Sequence, residues 1–297
     1  MSRAREKLWV VRANDGATLL DVLKRAGEDA SAIEEGRIFV GKKRAVGDQS
    51  VKVGDAIRIG PRQAGERLPP IEILFEREGV IACIKPAGLP SVPDHAGAAH
   101  SLVALVEKRT GRKNLRVTSR LDREVSGVVM FAIDEAAEAR LREARAEGAY
   151  ARRYVAIAAG HATMGASGQW TAPIGRAKNP LLREVNGLDA KASTTRWRVA
   201  GVTTDALLLA VEPETGRTHQ IRVHSAHAGW PLLGDRDYGP GKLTRANGSV
   251  IASSRIALHA ARVSVAGLVA TAPIPDELAK LWTQCGGAVS DWDAALG

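Results

Sequence analysis

The sequence predicts an α+β chain: a mixed, mainly antiparallel sheet preceded by a small N-terminal α/β module. Three observations carry this. After Ile71, short apolar runs separated by turn residues outnumber helical patterns. That favours strands joined by turns over the strict alternation of a doubly wound parallel sheet. The helical patterns that do occur are few, and each is bounded by a capping residue and a glycine. Residues 61–70, Pro-Arg-Gln-Ala-Gly-Glu-Arg-Leu-Pro-Pro, have linker composition. The expected division is a module over 1–62, a linker over 63–70 and a larger domain over 71–297.

In the module, Thr18-Leu19-Leu20-Asp21 resembles a capping box opening a helix that Gly27 closes. Ser31-Ala32-Ile33-Glu34 reads as a second such start, ending near Gly36. Two β-prone runs follow, Arg37 to Gly41 and Val51 to Ile59, with Lys42, Lys43 and Arg44 at a turn between them. Beyond the linker, Ile71–Phe75 and Val80–Ile84 read as paired strands around a turn. Ser101 to Thr110 reads as a helix closed by Gly111. Val128–Ala132 reads as a buried strand. Asp134 caps a charged helix, Glu135 to Glu147, ended by Gly148. Tyr154–Ala159, Thr194–Val199, Ala206–Val211 and Gln220–His224 are expected as further strands. Asp276–Gln284 is expected as a final helix.

The chain has 297 residues with 45% apolar side chains, so it is globular rather than disordered. Its formal charge is +9, with residues 1–67 at net +4 and the rest at +5. Both parts are basic, which favours a polyanionic partner, although solubility alone also accounts for such a balance. Aromatic residues are only 4%, which argues against an extensive base-stacking platform. Two cysteines, Cys83 and Cys285, are too few for a zinc site by themselves. No apolar run approaches the roughly 20 residues of a membrane span. The first seven residues lack a signal-peptide apolar stretch. A cytoplasmic monomer with no membrane contact is expected.

Two segments carry the chemistry. Ser119-Arg120-Leu121-Asp122-Arg123-Glu124-Val125-Ser126-Gly127 presents a carboxylate just before a turn-prone Ser-Gly pair and a strand. Thr215 to His224 packs Arg217, His219, Gln220, Arg222 and His224 into eight residues. Asp122 could instead form a surface ion pair with Arg120 or Arg123, which contributes little. On a strand, Gln220, Arg222 and His224 would share one face. That face is costly to bury unpaired, so it would meet a substrate, Asp122 or solvent. A metal site finds little support, because His219 and His224 would face opposite sides and no Cys pair or His-Glu-x-x-His accompanies them. A serine hydrolase lacks its Gly-x-Ser-x-Gly elbow.

On these motifs residues 71–275 resemble the catalytic domain of the RluA-type RNA pseudouridine synthases. Asp122 lies in the family's "Arg-Leu-Asp … Ser-Gly" segment, and "Gly-Arg-Thr-His-Gln-Ile-Arg-Val-His" is present unbroken as Gly216 to His224. Lys85-Pro86-Ala87-Gly88-Leu89-Pro90, Arg153-Tyr154-Val155-Ala156, Leu232-Leu233-Gly234-Asp235 with Tyr238-Gly239, and Leu258-His259-Ala260 follow in family order. The 1–62 module resembles the RNA-binding domain named after ribosomal protein S-four, through Gly36-Arg37-Ile38-Phe39-Val40-Gly41 and Val53-Gly54-Asp55-Ala56-Ile57.

The resemblance implies a fold of pseudouridine synthase type and isomerisation of specific uridines in RNA. Ribosomal RNA of the large subunit is the first expected partner and transfer RNA the second. Asp122 would be the catalytic aspartate, attacking ribose or base, and Arg222 would hold it ionised and oriented. Tyr154 would lie against the target base. Arg120, Arg217, His219, Gln220, Leu258 and Lys85 would bind substrate. The base must leave the stack to turn about its sugar. The reaction has no net redox change, so the resemblance implies no cofactor and no metal. Two positions depart from the family: Ser119 replaces its His and Val125 its Thr. The alternative from another class is an RNA-binding or assembly protein without activity. A nucleoside hydrolase or lyase would leave the basic N-terminal module unexplained.

Overall fold

The computed structural model describes residues 7–34, 36–41, 43–60, 70–93, 101–245 and 247–297. Lys42 and positions 63–69 of the expected linker lie outside these residues. The chain forms two compact units, residues 1–71 with 89–115, and residues 72–88 with 116–297.

In the first unit, β1 (Lys7–Val10) is followed by α1 (Leu19–Ala26), α2 (Ser31–Glu34), β2 (Ile38–Val40), β3 (Lys43–Arg44) and β4 (Ala56–Ile59). The strands pair antiparallel in the order β1-β4-β2-β3. The Thr18 capping box forms as expected, and Gly27 ends α1 in the left-handed region. Leu19, Val22 and Leu23 of α1 are buried with Ile38, Ile57 and Ile59. Three local expectations change. β1 is an additional strand. Only the last four residues of Val51–Ile59 are extended, because Gly54 and Asp55 turn the chain first. Asp29 rather than Ser31 supports the start of α2, accepting the Ser31 amide at 2.9 Å. The unit also holds α3 (Leu102–Thr110), capped by the Ser101 side chain.

The second unit begins with β5 (Glu72–Arg77), β6 (Val80–Lys85), β7 (Arg116–Val117), β8 (Ser126–Ala132), α4 (Glu135–Ala146) and β9 (Tyr150–Ala159). Then come β10 (Ser167–Trp170), β11 (Ile174–Arg176), β12 (Arg183–Val185), β13 (Leu188–Lys191), β14 (Thr195–Val202) and β15 (Ala206–Pro213). It closes with α5 (Gln220–His227), β16 (Lys242–Thr244), β17 (Val250–Ala252), β18 (Leu258–Val265), β19 (Leu268–Thr271), α6 (Asp276–Gln284) and α7 (Asp291–Leu296). The main sheet runs β10-β14-β15-β9-β18-β8-β6-β5, with β19 beside β18 and β7 beside β8. β18 and β8 pair parallel, and the other described neighbours pair antiparallel, so the expected mixed, mainly antiparallel α+β class holds.

Both faces of this sheet are covered, which is why β8 and β9 read as nearly continuous apolar runs. On one face α4 packs with Val80, Val128 and Met130. On the same side α6 and α7 pack with Val155, Ile157 and Leu208. The opposite face carries Tyr154, Ala156, Leu207, Leu209 and Val211, against which Ile221 of α5 packs.

The expected strand Gln220–His224 is a helix, α5. Alternation over five residues does not separate a period of 2 from one of 3.6. Tertiary contacts settle it by giving polar partners to both sides of the helix.

Candidate active site

One cross-sheet row sets the geometry. Lys85 of β6 pairs with Gly127 of β8, Gly127 with Ala260 of β18, and Ala260 with Tyr154 of β9. Paired positions in adjacent strands project to the same face. Gly127 is required here: its φ is +123°, and a Cβ would lie 2.3 Å from the Ala260 carbonyl oxygen. Asp122 sits at the turn leading into β8, closed by the Val125 amide donating to the Asp122 carbonyl at 3.0 Å. Strand spacing of about 4.8 Å therefore puts Tyr154 roughly 10 Å across the sheet from the start of β8.

Helix α5 delivers the basic partner to that face. Arg222 Nη1 lies 3.2 Å from Asp122 Oδ2. The guanidinium is itself clamped from behind: Nε donates to Asp235 Oδ2 at 2.7 Å and Nη2 to Asp235 Oδ1 at 2.9 Å. Nη2 also reaches Asp237 Oδ2 at 2.6 Å. Burial pulls the Arg222 pKa down, but the hydrogen bonds and charges of Asp235, Asp237 and Asp122 outweigh it and hold the pKa above its ordinary value. Arg222 is thus a fixed positive charge with a fixed direction. His219 adds a second group, with Nε2 3.9 Å from the same Oδ2. Asp122 Oδ1 has no hydrogen-bond partner among the described residues.

The expected site residues separate into three groups. Asp122, Arg222, His219 and Tyr154 share this face. Tyr154 is buried, and burial, the largest cause, raises its phenol above the usual value, with smaller contributions in the same direction from Tyr150 and Asp122. Leu258 packs in the same apolar wall as Tyr154 and Val125. Arg120 and Arg217 are exposed, and Arg217 Nε donates to the Ala192 carbonyl at 3.1 Å. Lys85 and Gln220 are buried, with their polar atoms turned to protein partners. Lys85 Nζ donates to the carbonyls of Pro86 and Arg123, each at 2.9 Å, and so ties β6 to the Asp122 turn. Burial lowers its pKa to about 7. The Gln220 amide bonds to Thr194, Thr195, Thr215 and the Arg217 backbone. His224 bonds to Thr195 and Ala172, so the face expected to join Gln220, Arg222 and His224 is divided between two sides of α5.

Several site residues carried no role in the sequence reading. Asp235, Asp237 and Tyr238 lie in a Gly-bounded run, Gly234 to Gly239, in which Asp235 and Tyr238 belong to a motif in family order but carried no role. Ser126 and His259 bond at 2.7 Å beneath the turn, and Arg255 Nη2 donates to the same Ser126 hydroxyl at 2.7 Å. Among the described residues no cluster of His, Cys, Asp and Glu could hold a metal ion. No described helix is long and apolar enough to cross a membrane.

Known proteins are similar to this chain in sequence and fold. Residues 79–227 match the family described as RNA pseudouridylate synthase. The chain is 31% identical over 288 residues to a Bacillus subtilis protein named uncharacterized RNA pseudouridine synthase YhcT, covering 92% of this chain and 91% of that one. It is 30% identical over 256 residues to ribosomal large subunit pseudouridine synthase C of Escherichia coli, covering 77% of this chain and 76% of the relative. The structure of human RNA pseudouridylate synthase domain containing 4 superposes with a TM-score of 0.58 at 21% identity, over 73% of this chain and 94% of that one. That likeness concerns the fold.

Proposed function

The chain belongs to the RNA pseudouridylate synthase family, and from that premise we propose that it isomerises uridines of large-subunit ribosomal RNA with Asp122 as the attacking group. As an RNA pseudouridine synthase it is an isomerase that acts on uridine in RNA. The choice of large-subunit RNA is supported by relatives named for that substrate. The assignment of Asp122 is carried by one observation. Its Oδ2 is held by Arg222 at 3.2 Å, while Oδ1 has no hydrogen-bond partner among the described residues.

In the proposed mechanism the target nucleotide leaves its stack and enters the face bounded by Asp122, Tyr154 and Leu258. Asp122 Oδ1 attacks ribose or base as the C1′–N1 bond breaks. The base turns, C5 bonds to C1′, and the bond that Asp122 formed to the substrate breaks to return the free carboxylate; the C5 proton is lost and N1 gains one. Tyr154 has no hydrogen-bond partner among the described residues, so its hydroxyl can meet the base while its ring stacks on it. Exposed Arg120 and Arg217 would contact phosphate. Lys85 and Gln220 would act through the elements they tie together. The 1–62 module, with its net-basic N-terminal region, would dock RNA in the manner of the ribosomal protein S-four domain.

The test is tritium release from C5-labelled uridine in ribosomal RNA. Wild type releases tritium, and Asp122→Ala abolishes release while RNA affinity is retained. Release that persists in Asp122→Ala removes Asp122 from the role. No release from any ribosomal or transfer RNA would favour an RNA-binding protein without activity.

A further inference from the structure

His219 stands where a helix usually has a capping side chain, and it does not cap. It is the residue before α5, in the left-handed region at φ 58° and ψ 19°, and its side chain makes no hydrogen bond to the helix start. Ser, Thr, Asp or Asn would stabilise that end better. A non-glycine residue at positive φ is uncommon, and such positions concentrate at functional sites. The backbone turn here directs the imidazole toward Asp122 instead.

The partners of the ring decide which nitrogen carries the proton. His219 Nδ1 lies 2.7 Å from the Tyr238 hydroxyl. That hydroxyl oxygen already accepts the backbone N–H of Arg183, on β12, at 2.9 Å. Burial, as the largest cause, raises the Tyr238 pKa, so the phenol keeps its proton. Among the described residues, His219 Nδ1 is the acceptor within reach of that proton. Nδ1 is then unprotonated, and the imidazole hydrogen sits on Nε2, 3.9 Å from Asp122 Oδ2. Tyr238 is fixed from its other side too, with Arg222 Cζ 4.9 Å from its ring centroid.

We propose that Tyr238 sets His219 in its Nε2–H tautomer as a second donor to Asp122 Oδ2, with the β12 backbone fixing the arrangement. His219 and Arg222 then restrain the same oxygen and leave Oδ1 free. This rests on the reading that Asp122 attacks the substrate. His219 is a positioning residue: at 3.9 Å its Nε2 lies beyond hydrogen-bond distance from Asp122 Oδ2 in the free chain, and the proposal requires this contact to shorten on substrate binding. The groups facing the ring are Asp122, Arg222, Asp237, Arg183 and Tyr238. Burial is the largest influence on its pKa and lowers it, which keeps the ring neutral at pH 7.5.

The experiment has two arms on the full-length chain. In the first, long-range nitrogen–proton correlation spectra of 15N-histidine-labelled protein report the tautomer, with His219→Gln identifying the signal. The expected result is unprotonated Nδ1 and protonated Nε2 in wild type, and loss of that single-tautomer pattern in Tyr238→Phe. Protonated Nδ1 in wild type overturns the proposal. In the second, single-turnover rates compare His219→Gln, whose amide nitrogen reaches the Nε2 position, with His219→Asn, whose amide does not. His219→Asn should be slower by roughly a hundredfold, the scale of an ångström misplacement, with RNA affinity unchanged in both. Equal rates for the two variants also overturn it. If wild type turns over no RNA, the proposed function fails, while the spectra still decide the tautomer.

Discussion

Arg222 provides an internal contrast in which distance and burial point to different partners. Its Nη2 lies 2.6 Å from Asp237 and 2.9 Å from Asp235. Judged by Coulomb distance alone, Asp237 would be the stronger partner. Yet the Asp237 side chain is 51% exposed, whereas those of Asp235 and Arg222 are 1% and 4% exposed. Solvent screens the first pair, and such pairs contribute about 0.2–1 kcal/mol. Asp235→Asn keeps the shape but removes the buried charge opposite Arg222, which costs about 3–5 kcal/mol when a partner is lost outright. Asp122 and Asp237 still face Arg222 in that variant, so the lower end, about 3 kcal/mol, is expected. For a unit of 199 residues this corresponds to a Tm decrease of roughly 6–12 °C. Asp237→Asn should lower Tm by about 2–4 °C or less. Calorimetry on both variants, following the transition of this unit at low and high salt, separates them, since only the Asp237 contribution should weaken with salt. Equal losses for the two variants, or a larger loss for Asp237→Asn, would refute the argument that burial outweighs distance here.

Two further outcomes follow from the same geometry. Arg222→Lys keeps the charge but not the fork that spans Asp122, Asp235 and Asp237, so kcat should fall by roughly a hundredfold with RNA Kd little changed. Parallel loss of rate and affinity would place Arg222 on the RNA backbone instead. His259 has its pKa lowered to about 4 by burial and then by Arg255. Between that value and its ordinary 6.5 the unfolded chain binds the proton and the folded chain does not, so stability falls as pH drops through this window. The lowering from 6.5 to about 4 amounts to about 3 kcal/mol. Urea midpoints from pH 6.5 to 4 should be flatter for His259→Gln than for wild type, and identical slopes would contradict the assignment.

Much of this molecule is legible in residue order. Thr18 and Asp134 accept from the third amide of their helices, as short polar side chains before an amphipathic run must. Glycines at 27 and 111 end helices because only the left-handed region closes those turns without a Cβ penalty. The apolar runs of β6, β8 and β9 announce strands buried on both faces. Asp122, Tyr154 and Arg222 stand out because their motifs keep family order, and chemistry of this kind requires a carboxylate and a fixed positive charge. These are local or pairwise properties, and a sequence carries them directly.

What tertiary structure alone decided lies between segments far apart in the chain. Alternating polar residues at Gln220, Arg222 and His224 fit a strand as well as a helix. The choice fell to Thr194 and Thr195 on one side and Asp122, Asp235 and Asp237 on the other, which only α5 can satisfy together. Lys85 and Gln220 look like substrate contacts in sequence, yet burial turns their donors toward backbone and threonine partners. The same holds for the tautomer of His219, which depends on an amide 36 positions earlier at Arg183 and a hydroxyl 19 positions later at Tyr238. Composition names the groups that can donate and accept. Which donor meets which acceptor, and on which oxygen, is settled only when the sheet register and α5 bring them together.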